Sequence, residues 1–143
     1  MTFLLDVNVL IALIDPGHVQ HDAAHEWFAS QGHRSWATCP MTENGVLRIV
    51  GHSRYPNTPG SPAAVMSLLA GLTALPGHTF WPDALSLRDQ KVFDATRLLS
   101  SAQVTDSYLL ALAHSHRGQL ASFDRRLVTD AVRGAAKALF VMG

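Results

Sequence analysis

Four acidic residues lie in apolar surroundings, where a folded protein rarely keeps an uncompensated charge. Asp6 follows the apolar run FLL, and Asp124 follows the run LASF. Glu43 and Asp106 each begin a stripe of apolar residues with the i, i+3, i+4, i+7 spacing of one helix face. A buried carboxylate destabilises a fold unless something compensates its charge. A divalent cation with oxygen ligands would compensate all four acids at once.

The elements that must position these acids alternate along the chain. We predict strands over Thr2–Leu5, Ser35–Ala37, Thr79–Trp81, Gln119–Ser122 and Ala138–Met142. We predict helices over Val9–Ile14, His21–Ser30, Thr42–Val50, Pro62–Leu72, Asp89–Leu99, Thr105–His116 and Arg126–Val132. This alternation predicts a three-layer α/β/α fold with a central, mostly parallel sheet. No linker or repeat divides the 143 residues, so we expect one domain over residues 1–143.

In such a fold, acids that are distant in sequence meet at one edge of the sheet. Ligands of open α/β sheets bind beyond the carboxyl ends of the strands. Asp6 and Asp124 follow predicted strands, and we place Glu43 and Asp106 in the first turn of helices that begin at that edge. The threonines directly before these two acids are candidate helix N-caps, Thr42 and Thr105. A favourable helix dipole would explain Glu43 or Asp106 singly, but not the coincidence of four acids.

The charge distribution suits a polyanionic substrate. The chain has 11 basic and 11 acidic residues, so removal of the four acids above leaves a net positive remainder. Between Glu26 and Asp83, Glu43 is the only acid. An acidic pocket within a mildly basic surround is what a metal-dependent enzyme acting on a polyanion needs. The candidate phosphate contacts are Arg48, Arg54 and Arg125.

Composition excludes several other classes of protein. No apolar run approaches the roughly 18–20 residues of a membrane span. No basic segment precedes the first predicted strand, so we expect no signal peptide and no membrane association. Cys39 is the only cysteine, which makes an internal disulfide impossible and a cytoplasmic location the default expectation.

The four acids lie in the segments LLDVNVLIAL (residues 4–13), PMTENGVLRIV (40–50), VTDSYLLALA (104–113) and LASFDRRL (120–127), with HDAAHEWF (21–28) between the first two. These segments resemble the signature segments of PIN-domain ribonucleases, and most closely those of the VapC-type toxins of bacterial toxin–antitoxin pairs. The segments occur in the family's order and spacing over the whole chain.

The resemblance implies a Mg²⁺- or Mn²⁺-dependent endoribonuclease site. By motif, Asp6, Glu43, Asp106 and Asp124 are its catalytic acids, and we expect Asp6, Asp106 and Asp124 to bind the metal. Glu43 is expected either to bind the metal or to orient the attacking water. The accessory residues that we expect to hold the carboxylates by hydrogen bonds are Asn8 and Ser122.

The resemblance also implies partners. Proteins of this kind act on RNA and are neutralised by a small VapB-like antitoxin, and many form homodimers through helices near the middle of the chain. In this chain Val65, Leu68, Leu69 and Leu72 form an apolar stripe that we expect to mediate such a dimer.

Two alternative functions remain open from the sequence. The first is a catalytically inactive PIN-fold module that binds RNA or protein, although all four acids are present. The second is a phosphohydrolase with an aspartyl nucleophile, for which Asp6 would be the nucleophile. That chemistry calls for a second acid two residues later, where this chain has Asn8.

Overall fold

The centre of the molecule is a sheet of five parallel strands. The computed structural model describes residues 1–143. The strands are β1 (Phe3–Leu5), β2 (Trp36–Thr38), β3 (His78–Phe80), β4 (Gln119–Ser122) and β5 (Leu139–Val141). Their order across the sheet is β3-β2-β1-β4-β5, with every neighbouring pair parallel. On the central strand, Leu4 lies opposite Ala37 on one side and Leu120 on the other.

Helices cover both faces of this sheet. They are α1 (Val7–Ile14), α2 (His21–Ser30), α3 (Pro40–Val50), α4 (Pro62–Thr73) and α5 (Ala102–Ser115). Side chains alternate between the faces of a strand, so Leu4 and Leu5 enter different cores. Leu4 packs with α5, whereas Leu5 packs with residues of α1, α2, α3 and α4. The predicted three-layer α/β/α fold with a parallel sheet is confirmed.

The start of each helix at the site differs from the prediction. Helix α1 begins at Val7, two residues early, because the Asp6 side chain caps it. Helix α3 begins at Pro40 with Cys39 as its N-cap residue, and Thr42 lies inside the first turn, where its hydroxyl accepts a hydrogen bond from the Cys39 N–H at 3.0 Å. Thr42 is therefore not the N-cap.

Helix α5 begins at Ala102, so Thr105 is not an N-cap and Asp106 lies in the second turn. The prediction that Asp106 occupies the first turn was wrong. The side chain of Gln103 accounts for the early start, since its carbonyl oxygen accepts hydrogen bonds from the N–H groups of Leu99 (2.8 Å) and Ser100 (3.0 Å). These hydrogen bonds hold the backbone of Leu99 and Ser100 against the first turn of α5.

Two predicted helices are absent. Within Asp89–Leu99 only a short 3₁₀ turn forms, at Ala95–Arg97, and Arg126–Val132 has no helix. The two segments pair with each other through a bridge between Phe93 and Val132. Asp94 N–H bonds to the Ala131 carbonyl at 2.9 Å, and Arg133 N–H bonds to the Val92 carbonyl at 2.9 Å. Backbone groups used in this pairing are not available for helical bonds.

No helix combines the length and the apolar character that a bilayer span requires.

Candidate active site

Asp6 lies at the carboxyl end of β1 and is held there on both sides. One carboxylate oxygen, Oδ1, accepts a hydrogen bond from the Val7 N–H at 2.8 Å. The other, Oδ2, accepts a hydrogen bond from the Ser122 hydroxyl at 2.7 Å. Only 7% of the residue is exposed. A buried carboxylate with both oxygens bonded has one fixed orientation.

Ser122 and Asn8 connect the ends of β1 and β4. The Ser122 hydroxyl accepts hydrogen bonds from the Asn8 amide nitrogen (3.2 Å) and from the Asp124 N–H (3.0 Å). The Asn8 amide oxygen accepts a hydrogen bond from the Phe123 N–H at 3.2 Å. Ser122 donates to the Asp6 carboxylate, whereas Asn8 contacts the Ser122 hydroxyl and the Phe123 N–H and no carboxylate. Through them, Asp6 and Asp124 are fixed relative to each other.

Asp106 joins this pair from the opposite layer, on α5. Burial raises the pKa of its carboxyl group to about 6, with the charges of Asp6 and Asp124 adding to the effect. The pKa of Asp6 is also raised, by burial first and by Asp124 in addition, against the lowering effect of its hydrogen bonds from Ser122 and Val7. Three aspartates from three parts of the chain thus influence one another at a single edge of the sheet.

Glu43 stands at the same edge but makes a different contact. It lies in the first turn of α3, as predicted, and its Oε2 accepts a hydrogen bond from the Thr38 hydroxyl at 2.8 Å. Thr38 ends β2 and is fully buried. Gly45 allows α3 to approach α1 closely, because a Cβ at this position would lie 2.8 Å from the Val7 side chain. The structure therefore brings three aspartates together and places Glu43 beside Thr38.

The donor chemistry of this cluster fits a hard divalent cation. As they stand, no three His, Cys, Asp or Glu side chains have an arrangement that could hold a metal ion by themselves. Mg²⁺, however, retains several waters and needs only one or two direct carboxylates. The burial and mutual repulsion that raise the pKa of Asp106 are what a bound cation would relieve. The donor type and the negative charge of Asp6, Asp106 and Asp124 suit such an ion.

The three candidate phosphate contacts lie outside this cluster. Arg48, in the last turn of α3, and Arg54, in the loop that follows, line an open cavity of about 370 Å³. The residues that line it include no acid: Arg48, Ile49, His52, Arg54, Tyr55 and Pro56. The exposed Arg125 donates a hydrogen bond to the Gly143 carbonyl. None of these arginines forms an ion pair.

Sequence analysis missed two polar residues beside Glu43. The predicted second strand ended at Ala37, whereas β2 continues to Thr38, so the side chain at the strand's end went unnoticed. His78 begins β3 and lies within 2.8 Å of the Thr38 hydroxyl through its Nε2. The rule that identified Asp6, namely a polar residue at the end of a buried strand, would have identified Thr38 if the strand had been placed correctly.

Comparison with known proteins identifies the family of the chain. The sequence model of the PIN domain matches residues 3–131. Ribonuclease VapC44 of Mycobacterium tuberculosis is 47% identical over 137 residues, which cover 96% of each chain. Ribonuclease VapC39 of the same organism is 42% identical over 139 residues, 97% of this chain and all of the relative. The chain belongs to the PIN-domain family. Its high identity to these relatives confirms the predicted likeness to VapC-type ribonucleases.

Solved structures share the fold at low sequence identity. The structure of VapBC2 from Rickettsia felis bound to a promoter DNA fragment matches with a TM-score of 0.58 and 11% identity, over 88% of this chain and 90% of the other. The structure of VapC20 from Mycobacterium tuberculosis, described as a toxin that cleaves the sarcin–ricin loop, matches with a TM-score of 0.53 and 13% identity. That match covers 80% of this chain and 79% of the other.

Proposed function

We propose that this chain is a metal-dependent endoribonuclease that acts as the toxin of a type II toxin–antitoxin pair. The observation that carries the proposal is the meeting of Asp6, Asp106 and Asp124 at the carboxyl edge of the sheet. There burial and neighbouring charge raise the pKa of Asp106 to about 6. Such a cluster of like charges suits a nuclease, because a cation that binds it and relieves the repulsion also binds phosphate oxygens of the substrate.

Asp6, Asp106 and Asp124 are the residues that would hold the cation, which we propose is Mg²⁺ or Mn²⁺. When bound, such an ion activates a water molecule at neutral pH and stabilises the charge that develops on a phosphate. Ser122 and Asn8 hold Asp6 and the backbone of Asp124 in place by the hydrogen bonds described above. Such contacts fix the orientation of carboxylate ligands.

Glu43 is the residue that we assign to the attacking water. Its Oε2 is occupied by the Thr38 hydroxyl, and Oε1 has no hydrogen bond within the protein. Oε1 can therefore accept a hydrogen bond from the water and orient it for in-line attack on the phosphodiester phosphorus. The attack forms one P–O bond and breaks another. The water gives up one proton to the solvent, and the departing ribose oxygen takes up one, so protons balance.

RNA is the substrate that the charge distribution favours. Arg48 and Arg54 have no acidic partner in their cavity, whereas Arg125 lies directly after Asp124 and donates a hydrogen bond to the Gly143 carbonyl. Guanidinium groups without a partner of their own are available to phosphates.

The lone thiol of Cys39 is buried and matches the reducing cytoplasm in which we place the protein.

A VapB-like antitoxin and a second copy of the chain are the proposed protein partners. The antitoxin is proposed by analogy with the VapBC2 complex of Rickettsia felis. For the homodimer, the structure narrows the predicted apolar stripe. Val65 and Leu69 are buried in the core of the monomer and Leu72 packs partly against it, which leaves Leu68 of the stripe at 45% exposure. Met66, which was not part of the predicted stripe, is 49% exposed on the same helix. These two side chains are the contacts that we propose for the dimer.

The two alternatives have less support from the site. In the phosphohydrolase alternative an acid would stand at position 8, but both polar atoms of the Asn8 amide hold the end of β4. In the inactive-module alternative the acids would have no common task, yet Asp6 is fixed by two hydrogen bonds beside Asp106 and Asp124.

The proposal is tested by inducing the chain in bacterial cells and sequencing the new RNA ends. We expect growth arrest together with cuts at defined RNA positions, and neither in cells that express Asp6→Asn. Co-expression of the protein encoded beside the chain should restore growth. Growth arrest without new RNA ends would contradict the ribonuclease proposal.

A further inference from the structure

A chain of three polar groups runs from Glu43 into the sheet. The Thr38 hydroxyl lies 2.8 Å from Glu43 Oε2 and 2.8 Å from His78 Nε2. Thr38 is fully buried, and His78 is half-buried. These contacts join the end of β2, the first turn of α3 and the start of β3.

The direction of these hydrogen bonds follows from the number of protons available. A threonine hydroxyl has a single proton, and an ionised carboxylate can only accept. Thr38 therefore donates to Glu43, and its oxygen accepts a hydrogen bond from His78. This requires a proton on His78 Nε2. Burial lowers the pKa of His78, against the opposing effect of the Glu43 charge, which favours the neutral ring.

The surrounding sheet holds the imidazole in place. Trp36 and His78 are register partners on adjacent strands, and their ring centres lie 4.7 Å apart. Gly77, directly before His78, has a φ of +93°, and a Cβ there would lie 2.2 Å from the His33 carbonyl oxygen. The backbone before the imidazole is thus confined to a path that only glycine follows easily.

We infer that Thr38 and His78 are positioning residues that hold Glu43 in its reactive orientation through a hydrogen-bonded chain from His78 to Thr38 to Glu43. The inference rests on the role proposed above for Glu43. Because the Thr38 hydroxyl occupies Oε2 of Glu43, only Oε1 is left to face the attacking water. Without the hydrogen bond from Thr38, the Glu43 side chain would rotate among several conformers, and only some of them would place Oε1 beside the water.

The first test uses ¹⁵N NMR of the His78 ring in metal-free protein at mildly alkaline pH. The expected result is a proton on Nε2 and none on Nδ1, and Thr38→Val should weaken that preference. A neutral ring with its proton on Nδ1 would overturn the inference, because Thr38 would then receive no hydrogen bond. This measurement does not depend on catalysis.

The second test compares Thr38→Val with Thr38→Ser in RNA cleavage. Thr38→Val preserves the shape of the side chain and removes the hydroxyl, so kcat should fall by about 10- to 100-fold, the usual cost of losing an outer hydrogen-bond partner. KM should not change, and Thr38→Ser should restore most of kcat. Full activity in Thr38→Val would overturn the inference.

A third comparison separates positioning from a general loss of structure. In the inactive Asp6→Asn background, Thr38→Val should leave RNA affinity unchanged, since the hydroxyl acts only through Glu43. If Thr38→Val does not fold, His78→Phe (which removes the N–H) and His78→Gln (which retains one) provide the same contrast. Equal kcat in these two variants would overturn the role of His78. Activity retained in Asp6→Asn or Glu43→Gln would contradict the proposed function itself, so the two failures are distinguishable.

Discussion

At the scale of single residues, the ionised Asp106 carboxylate lowers the stability of the metal-free protein. The ordinary pKa of an aspartate is about 3.9. A folded-state pKa near 6 for Asp106 means that the folded protein binds this proton more tightly than the unfolded chain does. The contribution of Asp106 to the stability of the metal-free protein therefore falls as the pH rises from about 4 to about 6. Above about pH 6 the free-energy cost of the ionised Asp106 no longer changes with pH. A bound cation would offset this cost.

Replacement of Asp106 should remove this cost. We expect metal-free Asp106→Asn to unfold at the same or a higher temperature than the unaltered protein above about pH 6, with no gain below about pH 4, because the aspartate is then protonated in both states. Thermal unfolding in the presence of a chelator measures the difference. Asp130→Asn, a change at an exposed acid on another part of the surface, serves as the control. A clear loss of stability in Asp106→Asn at neutral pH would show that the carboxylate stabilises the fold.

At the scale of elements, buried polar contacts determine where helices and loops end. Asp15 follows α1 and is only 4% exposed. Its carboxylate accepts hydrogen bonds from the Tyr55 hydroxyl, from the Asn57 amide (3.2 Å) and from the Gly17 N–H (2.9 Å). Burial alone would raise the pKa of Asp15, but these bonds together lower it. Burial, with the hydrogen bond to Asp15 and its charge in addition, raises the pKa of Tyr55 to about 12. The contact ties the loop that carries Arg54 to the end of α1.

Loss of the tyrosine hydroxyl should therefore destabilise the protein in a pH-dependent way. A carboxyl group with a lowered folded-state pKa stabilises the fold fully above its ordinary value, and that stabilisation disappears as the pH falls through the folded value. We expect Tyr55→Phe to lower the free energy of unfolding by about 1–3 kcal/mol near neutral pH. The difference should shrink below about pH 4. Urea unfolding at several pH values measures it, and a pH-independent difference would argue against the role of Asp15.

Strands and helices with a clear apolar pattern could be predicted from the sequence, and the pairing between Phe93 and Val132 outside the sheet could not. The acids after β1 and β4, and the acid in the first turn of α3, lay where the apolar patterns placed them. The apolar spacing in Asp89–Leu99 also fits a helix, but its backbone pairs with residues near Val132, which no local pattern reveals. Thr38 was missed because strand ends are uncertain by a residue, and one residue decides which side chain lies at the edge.

At the scale of the whole molecule, the acidic cluster and two of the candidate arginines, Arg48 and Arg54, occupy different parts of the surface. Arg48 and Arg54 lie at the end of α3 opposite to Glu43, and their cavity is free of acids. If a nucleic acid crosses both regions, Arg48 and Arg54 would bind its phosphates and the acidic cluster would cut it. This division predicts that RNA affinity depends on the arginines and cleavage on the acids.

Affinity for RNA should therefore fall with salt. For the inactive Asp6→Asn protein, we expect the logarithm of the affinity to fall linearly with the logarithm of salt concentration, since binding releases counterions. Arg54→Ala should reduce the slope by about 0.7, because the protein then neutralises one phosphate fewer on a single strand. Arg97→Ala should leave the slope unchanged, because Arg97 is paired with Asp94 at 3.5 Å. An affinity independent of salt would contradict phosphate binding by these arginines.

The dimer proposal also belongs to this scale. Leu68→Lys introduces a charge on the exposed face of α4, and we expect it to convert a dimer to a monomer at micromolar concentration in sedimentation experiments. Val19→Lys changes a side chain that is 94% exposed and should have no such effect. If the unaltered protein sediments as a monomer, the proposed interface does not exist.

The most direct test of the active site is cleavage of total bacterial RNA by the purified protein as Mg²⁺ or Mn²⁺ is titrated. The site of Asp6, Asp106 and Asp124 predicts cleavage that requires the added ion and stops with a chelator. It also predicts that folded Asp6→Asn leaves the RNA intact at every metal concentration while still binding it. Cleavage by Asp6→Asn at the rate of the unaltered protein, or cleavage that persists in the chelator, would contradict this assignment of the active site.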